Sequence, residues 1–171
     1  MKKFLAIVGS TVIGLMLATI VRAAVENVAA QVTFANPVAI VEVASLRFGL
    51  LDQNLALGET IIISADNPAT VTDGAGRILG PTQAAADLTI TAEALQTLSI
   101  QVSNIVPNTG YTLTLFTCNY NSDADTACQA APYTQPSVAS ATLWVGATLT
   151  GDGFAVPGPF NGSFDVTVAY Q

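Results

Sequence analysis

Gly162-Ser163-Phe164-Asp165-Val166-Thr167-Val168-Ala169-Tyr170-Gln171 closes the sequence. Phe164, Val166, Val168 and Tyr170 fall at every second position, so an extended chain puts all four on one face and Asp165, Thr167 and Ala169 on the other. A strand this regular belongs in a sheet, because an apolar stripe beside unpaired backbone groups is a template for aggregation. A sequence that stops on such a strand is expected to give the strand itself a partner. The same period of two recurs upstream. Val28, Ala30, Val32 and Phe34 alternate with Ala29, Gln31 and Thr33. Leu98, Ile100 and Val102 alternate with Ser99, Gln101 and Ser103, and Tyr111, Leu113 and Leu115 with Thr112 and Thr114. Ile61 to Ile63 and Leu143 to Leu149 fit further strands. Turn residues fall between them at Asp66-Asn67-Pro68, Asp73-Gly74 and Gly151-Asp152-Gly153.

Short strands at such intervals predict an all-β, immunoglobulin-like or pilin-like antiparallel sandwich. Only Thr82 to Asp87 and Thr91 to Leu95 tempt a helical reading. Each is too short to stand alone, and a turn of helix or a strand continuation is expected there.

Met1-Lys2-Lys3, followed by the apolar run Phe4 to Val21 and the small residues of Val21-Arg22-Ala23, has the anatomy of an export signal. The expected organisation is a signal peptide at 1–23, an N-terminal strand at 24–37 and a sandwich domain at 38–171. No membrane span is expected after cleavage. Beyond Arg22 only Arg47 and Arg77 are basic, against twelve carboxylates, a net of −10. A surface so acidic does not attract nucleic acid or anionic lipid.

Cys118 and Cys128 are the two cysteines. In an exported chain such a pair forms one disulfide, here closing a long hairpin loop and implying an oxidising compartment: periplasm, cell surface or extracellular filament. Within that loop Asn119, Asn121, Asp123 and Asp125 recur at alternate positions, as oxygen ligands of a calcium loop do. The turn glycine and distal glutamate of the EF-hand pattern are missing, so the expectation is a solvated polar tip that holds no metal. The chain lacks histidine, lacks lysine beyond Lys3 and shows no nucleophile elbow, which excludes most catalytic constellations. Neither an enzyme nor a cofactor is expected.

The alternating final strand with its penultimate Tyr170, and Gly158 fourteen places from the end, resemble the subunits of chaperone–usher pili. Ser45-Leu46-Arg47-Phe48-Gly49, Gln83-Ala84-Ala85-Ala86, Leu143 to Leu149 and the terminal Phe-x-Val-x-Val-x-Tyr resemble, in order and spacing, an uncharacterised group of secreted bacterial proteins discussed beside Mat/Ecp-type fimbrial rod subunits. The resemblance implies a homopolymer assembled by strand addition, with a periplasmic chaperone and an outer-membrane usher as further partners. In it, Gly158, Phe164, Val166, Val168 and Tyr170 form the zipper strand.

Two functions follow as expectations. In the first, the domain lacks one strand and receives Val28, Ala30, Val32 and Phe34 from a neighbouring subunit, Pro37 separating donor from domain. In the second, a complete secreted sandwich binds a ligand or surface through Tyr120, Asp123, Asp125 and Tyr133 around the disulfide-closed loop.

Overall fold

A computed structural model of the protein describes residues 31–106, 109–159 and 161–171. The export signal, Val28 and Ala30 lie outside the described residues. Among the described residues there are ten strands and no helix: β1 (Ala39–Ala44), β2 (Thr60–Ile63), β3 (Val71–Asp73), β4 (Ala86–Thr91), β5 (Thr97–Ser103), β6 (Tyr111–Tyr120), β7 (Thr126–Ala127), β8 (Tyr133–Pro136), β9 (Ser140–Gly151) and β10 (Asp165–Tyr170).

The larger sheet is organised by β9, whose twelve residues include three threonines with Leu143, Trp144, Val145 and Leu149. One edge of β9 carries β6. The other carries β4 along its first half and β2 along its second. Gly146 marks the changeover, where a Cβ would run into the backbone of Ile63 and Ser64. Glycine alone lets β2 approach there. β1 adds to β4, β3 to β2 and β7 to β6, all antiparallel. The smaller sheet has the order β10-β5-β8.

The two sheets close on Ile90, Leu98, Ile100, Phe116, Leu143 and Val145, all of them without exposed surface. The fold is an antiparallel β-sandwich. Its order follows the immunoglobulin scheme, with β1-β4-β9-β6 in the places of A-B-E-D and β10-β5 in the places of F-C.

One local expectation changes, and of two alternatives at Thr82 to Asp87 the strand continuation is found. The alternation Tyr111, Leu113, Leu115 breaks at a bulge between Thr114 and Thr117. Leu115 takes φ +49° and turns 70% of its surface to solvent, while Phe116 enters the core in its place. A bulge adds one residue and so reverses the parity of everything after it. The helix-like stretch around Thr82 to Asp87 feeds straight into β4, whose Ala86, Leu88 and Ile90 are buried at alternate positions.

Cys118 and Cys128 are joined, with Cα atoms 5.8 Å apart and both side chains fully buried. The Cys128 amide donates to the Phe116 carbonyl at 3.1 Å, and its carbonyl accepts from Val102 of β5 at 2.8 Å. The bridge therefore pins the point at which the chain leaves the larger sheet for the smaller one.

Candidate functional site: an apolar groove beside the last strand

β10 pairs with β5 along its whole length, from Asp165 opposite Ser103 to Tyr170 opposite Leu98. Its other edge has no strand beside it among the described residues. In an immunoglobulin sandwich that edge carries strand G. Burial shows what stays uncovered along that edge among the described residues. Val166, Val168 and Tyr170 pack on the core yet stay half-buried, and so do Val38, Ile40, Leu46 and Phe48 on the β1 side. Both flanks of this gap present apolar side chains that a further strand would cover.

The gap narrows toward one end. There the Tyr170 hydroxyl donates to the Asn36 carbonyl at 2.6 Å and accepts from the Glu93 amide at 2.6 Å. Asn36 also donates its side-chain amide to Glu93 Oε2 at 2.6 Å. The penultimate tyrosine thus straps the last strand to the segment leading into β1.

Toward the other end the gap widens into a cavity of about 1230 Å³. One wall is the segment 45–53, carried on 77–84 by paired backbone bonds: Arg47 with Ala84 in both directions at 2.9 and 3.0 Å, Leu79 to Leu50 at 2.9 Å and Asp52 to Arg77 at 2.7 Å. Gln83 adds side-chain bonds to the Phe48 and Gly80 carbonyls. Gly49, at φ +75°, turns the wall where a Cβ would meet Gln83 and Thr82 within 3 Å. Arg77 fixes the wall's far end, gripping Glu59 with two hydrogen bonds of 2.7 and 2.8 Å and reaching Asp52 at 3.6 Å. That guanidinium holds the Glu59 carboxyl down at about 2.

The opposite wall is formed by 155–159 with Asn161, Gly162 and Phe164, and includes Gly158, whose φ of +150° favours glycine and beside which lies open space. Leu113, Leu149 and Leu55 form the floor. Phe164 leans on Phe116 with ring centroids 4.8 Å apart, anchoring this wall to the core. At the mouth Leu50, Leu79 and Val156 are 64, 60 and 53% exposed.

The structure thus brings together Gly158, Phe164 and the Ser45–Gly49 and Gln83–Ala86 elements, far apart in sequence. Val32 and Phe34 are 74 and 88% exposed and belong to no described strand. The disulfide loop does not converge on a single point. Asn119 is buried in the sheet and donates to Asp66 Oδ1 at 3.2 Å and Asp125 Oδ1 at 3.4 Å, while Asp123 turns to Tyr133 and Gln135 at 3.2 and 2.6 Å. The alternate carboxylates therefore serve two separate hydrogen-bond groups.

The expected contact surface needs correction as well. Tyr120 and Tyr133 are core residues, 2 and 5% exposed. Their rings lie inward because β6 and β8 aim them between the sheets, and only the hydroxyls reach polar partners, Val138 N for Tyr120 and Asp123 for Tyr133. Burial pushes the Tyr133 hydroxyl above its ordinary value. The sequence reading missed the floor residue Leu55, the Arg77–Glu59 clamp and the exposed rim. Isolated leucines and a single arginine carry no periodic signal.

The model of a domain-of-unknown-function family, DUF4402, matches residues 38–170. The chain belongs to the DUF4402 family. The matched stretch begins at the residue after Pro37 and takes in every strand, so both walls of the groove lie within the DUF4402 domain. No curated protein and no solved structure matches the chain. The buried disulfide of this DUF4402 protein places it in an oxidising, extracytoplasmic compartment. Among its described residues no helix is long and apolar enough to cross a membrane.

Proposed function

We propose that the protein is the structural subunit of an extracellular, fimbria-like filament, its groove completed by a strand from a neighbouring copy. One observation carries this reading: among the described residues β10 has no strand on its outer edge, beside a gap whose two flanks are apolar and half-buried, in the place where the sandwich scheme calls for a seventh strand. A donor there satisfies the unpaired backbone of β10 and covers both flanks at once. The donor is the segment containing Val28, Ala30, Val32 and Phe34. It matches the four apolar positions of the last strand one for one, and its two described members, Val32 and Phe34, lie largely in solvent. Sparse charge and a buried disulfide suit a durable fibre.

The width of the cavity favours one polarity. Phe34, the largest donor side chain, fits the wide end beside Gly158 and Phe164, which makes the donor antiparallel to β10 with Val28 at the Tyr170 end. The complement of the groove is thus a short apolar strand of this chain. During export the same edge needs temporary cover, which a chaperone strand would supply.

Deleting Ala24 to Phe34 and returning that segment as a free peptide tests the reading. The truncated domain is expected to be soluble, to bind the peptide and to melt at a higher temperature when bound. Val32→Asp in the peptide should abolish binding, since an unpaired carboxylate in an apolar groove costs several kcal/mol. A truncated domain indifferent to the peptide would overturn strand donation and leave a self-contained secreted domain.

A further inference from the structure

Leu95 is the least comfortable residue on the surface. It sits in the turn between β4 and β5 at φ +66°, the left-handed region that branched apolar residues avoid, and 92% of its surface is exposed. Asparagine or glycine would suit that turn better, and neither packing nor backbone geometry within the domain accounts for a leucine there. Leu95 stands two residues from Glu93, whose amide and carboxylate hold Tyr170 and Asn36. It therefore marks the narrow end of the groove. The wide end carries its own exposed apolar group, the rim of Leu50, Leu79 and Val156.

We infer that these two surfaces meet in the filament: the Leu95 pole of each donor subunit seats on the Leu50–Leu79–Val156 rim of the subunit it donates to. The inference rests on strand donation and adds a body-to-body contact to it. Chain length forces the arrangement. Phe34 enters the wide end of the acceptor's groove, whereas Asn36 is already bound to its own body through Tyr170 and Glu93. Two residues span at most about 7 Å, and Pro37 keeps the preceding residue extended. The donor's body is thus drawn against the acceptor's mouth, and the part that arrives is the pole carrying Asn36 and Leu95. The contact joins two different patches, so it is heterologous and propagates head to tail.

Single cysteines test this, because the native chain has no free cysteine among its described residues. In full-length chains exported together, one carrying Leu95→Cys and the other Leu79→Cys, mild oxidation should give a covalent dimer of unlike chains. Leu95→Cys alone should give none, since the two leucines never face each other. Leu95→Asp should lower filament yield at least tenfold while leaving the melting temperature of the subunit unchanged or higher, and leaving binding of the residue 24–34 peptide unchanged. Leu95→Asp chains should still accept a donor from the parent chain, which a misfolded variant cannot do. Peptide binding combined with normal assembly of Leu95→Asp and no unlike-chain crosslink would overturn the body contact and leave strand donation standing. Failure of the peptide to bind the parent domain would overturn both.

Discussion

β5 and β10 are neighbours, paired residue for residue, and their apolar patterns are almost the same. Leu98, Ile100 and Val102 face Tyr170, Val168 and Val166 across the ladder. On β5 these residues have at most 1% of their surface exposed, whereas on β10 all three remain half-buried. The difference is not in the side chains. β5 has β8 on its far side and β10 has no described neighbour there, so the same alternation gives a finished core in one strand and an open flank in the other. Period two identifies a strand and its inward face, but it does not count the strands on either side.

Mutation should separate the two strands clearly. Ile100→Ala on β5 leaves a cavity in a closed region and should cost about 2–5 kcal/mol in urea unfolding of the subunit. Val168→Ala on β10 should cost under about 1 kcal/mol in the same measurement. With the residue 24–34 peptide bound, the cost of Val168→Ala should rise if the donor turns a half-buried valine into a core one. Equal costs for the two substitutions in the isolated subunit would mean that the β10 flank is already closed.

The disulfide gives an intermediate effect. Replacing Cys118 and Cys128 together by alanine releases a loop of roughly eleven residues, worth about 3 kcal/mol by chain-entropy arithmetic. Because the bridge lies at the crossing between sheets and away from the groove walls, the variant should lose stability but keep its affinity for the donor peptide. Calorimetry and peptide titration read the two quantities separately.

The smallest effect is the pH response of the groove wall. Arg77 holds Glu59 at about 2, below its ordinary 4.5. A depressed carboxyl contributes stability that is fully present above 4.5 and is lost as pH falls from there through about 2. Glu59 and Arg77 still keep about a quarter of their side-chain surface in solvent, so screening keeps the contribution small. Glu59→Gln should lower stability slightly above pH 5 and converge with the parent near pH 2, flattening this part of the acid-unfolding profile. An identical profile for parent and variant would show that the clamp does not couple to folding.

Much of this organisation can be read from the chain. Phe164 to Tyr170, Leu98 to Val102 and Leu143 to Leu149 declare themselves because buried strands repeat every two residues, and the two cysteines could join only each other. The first groove wall hides for the opposite reason. Leu46, Phe48 and Leu51 belong to no long strand and are held by isolated bridges to 77–84, so their register comes from tertiary pairing. Leu115 was misleading because a bulge inverts parity without changing composition. Tyr120 and Tyr133 looked like loop contacts since aromatic residues beside aspartates suit a surface as readily as a core edge. Only burial separates the two.

The ribbon formed by 45–53 and 77–84 has a consequence for digestion. Beyond Arg22 the chain offers trypsin just two sites, Arg47 and Arg77, and both lie on this ribbon. Trypsin therefore interrogates one wall of the groove and leaves the rest of the sandwich uncut. Cleavage needs the scissile segment to leave its backbone partners and extend into the protease, so the rate of nicking reports how often the wall opens. A strand seated in the groove should slow that opening, and the interval before the first cut becomes a clock for occupancy.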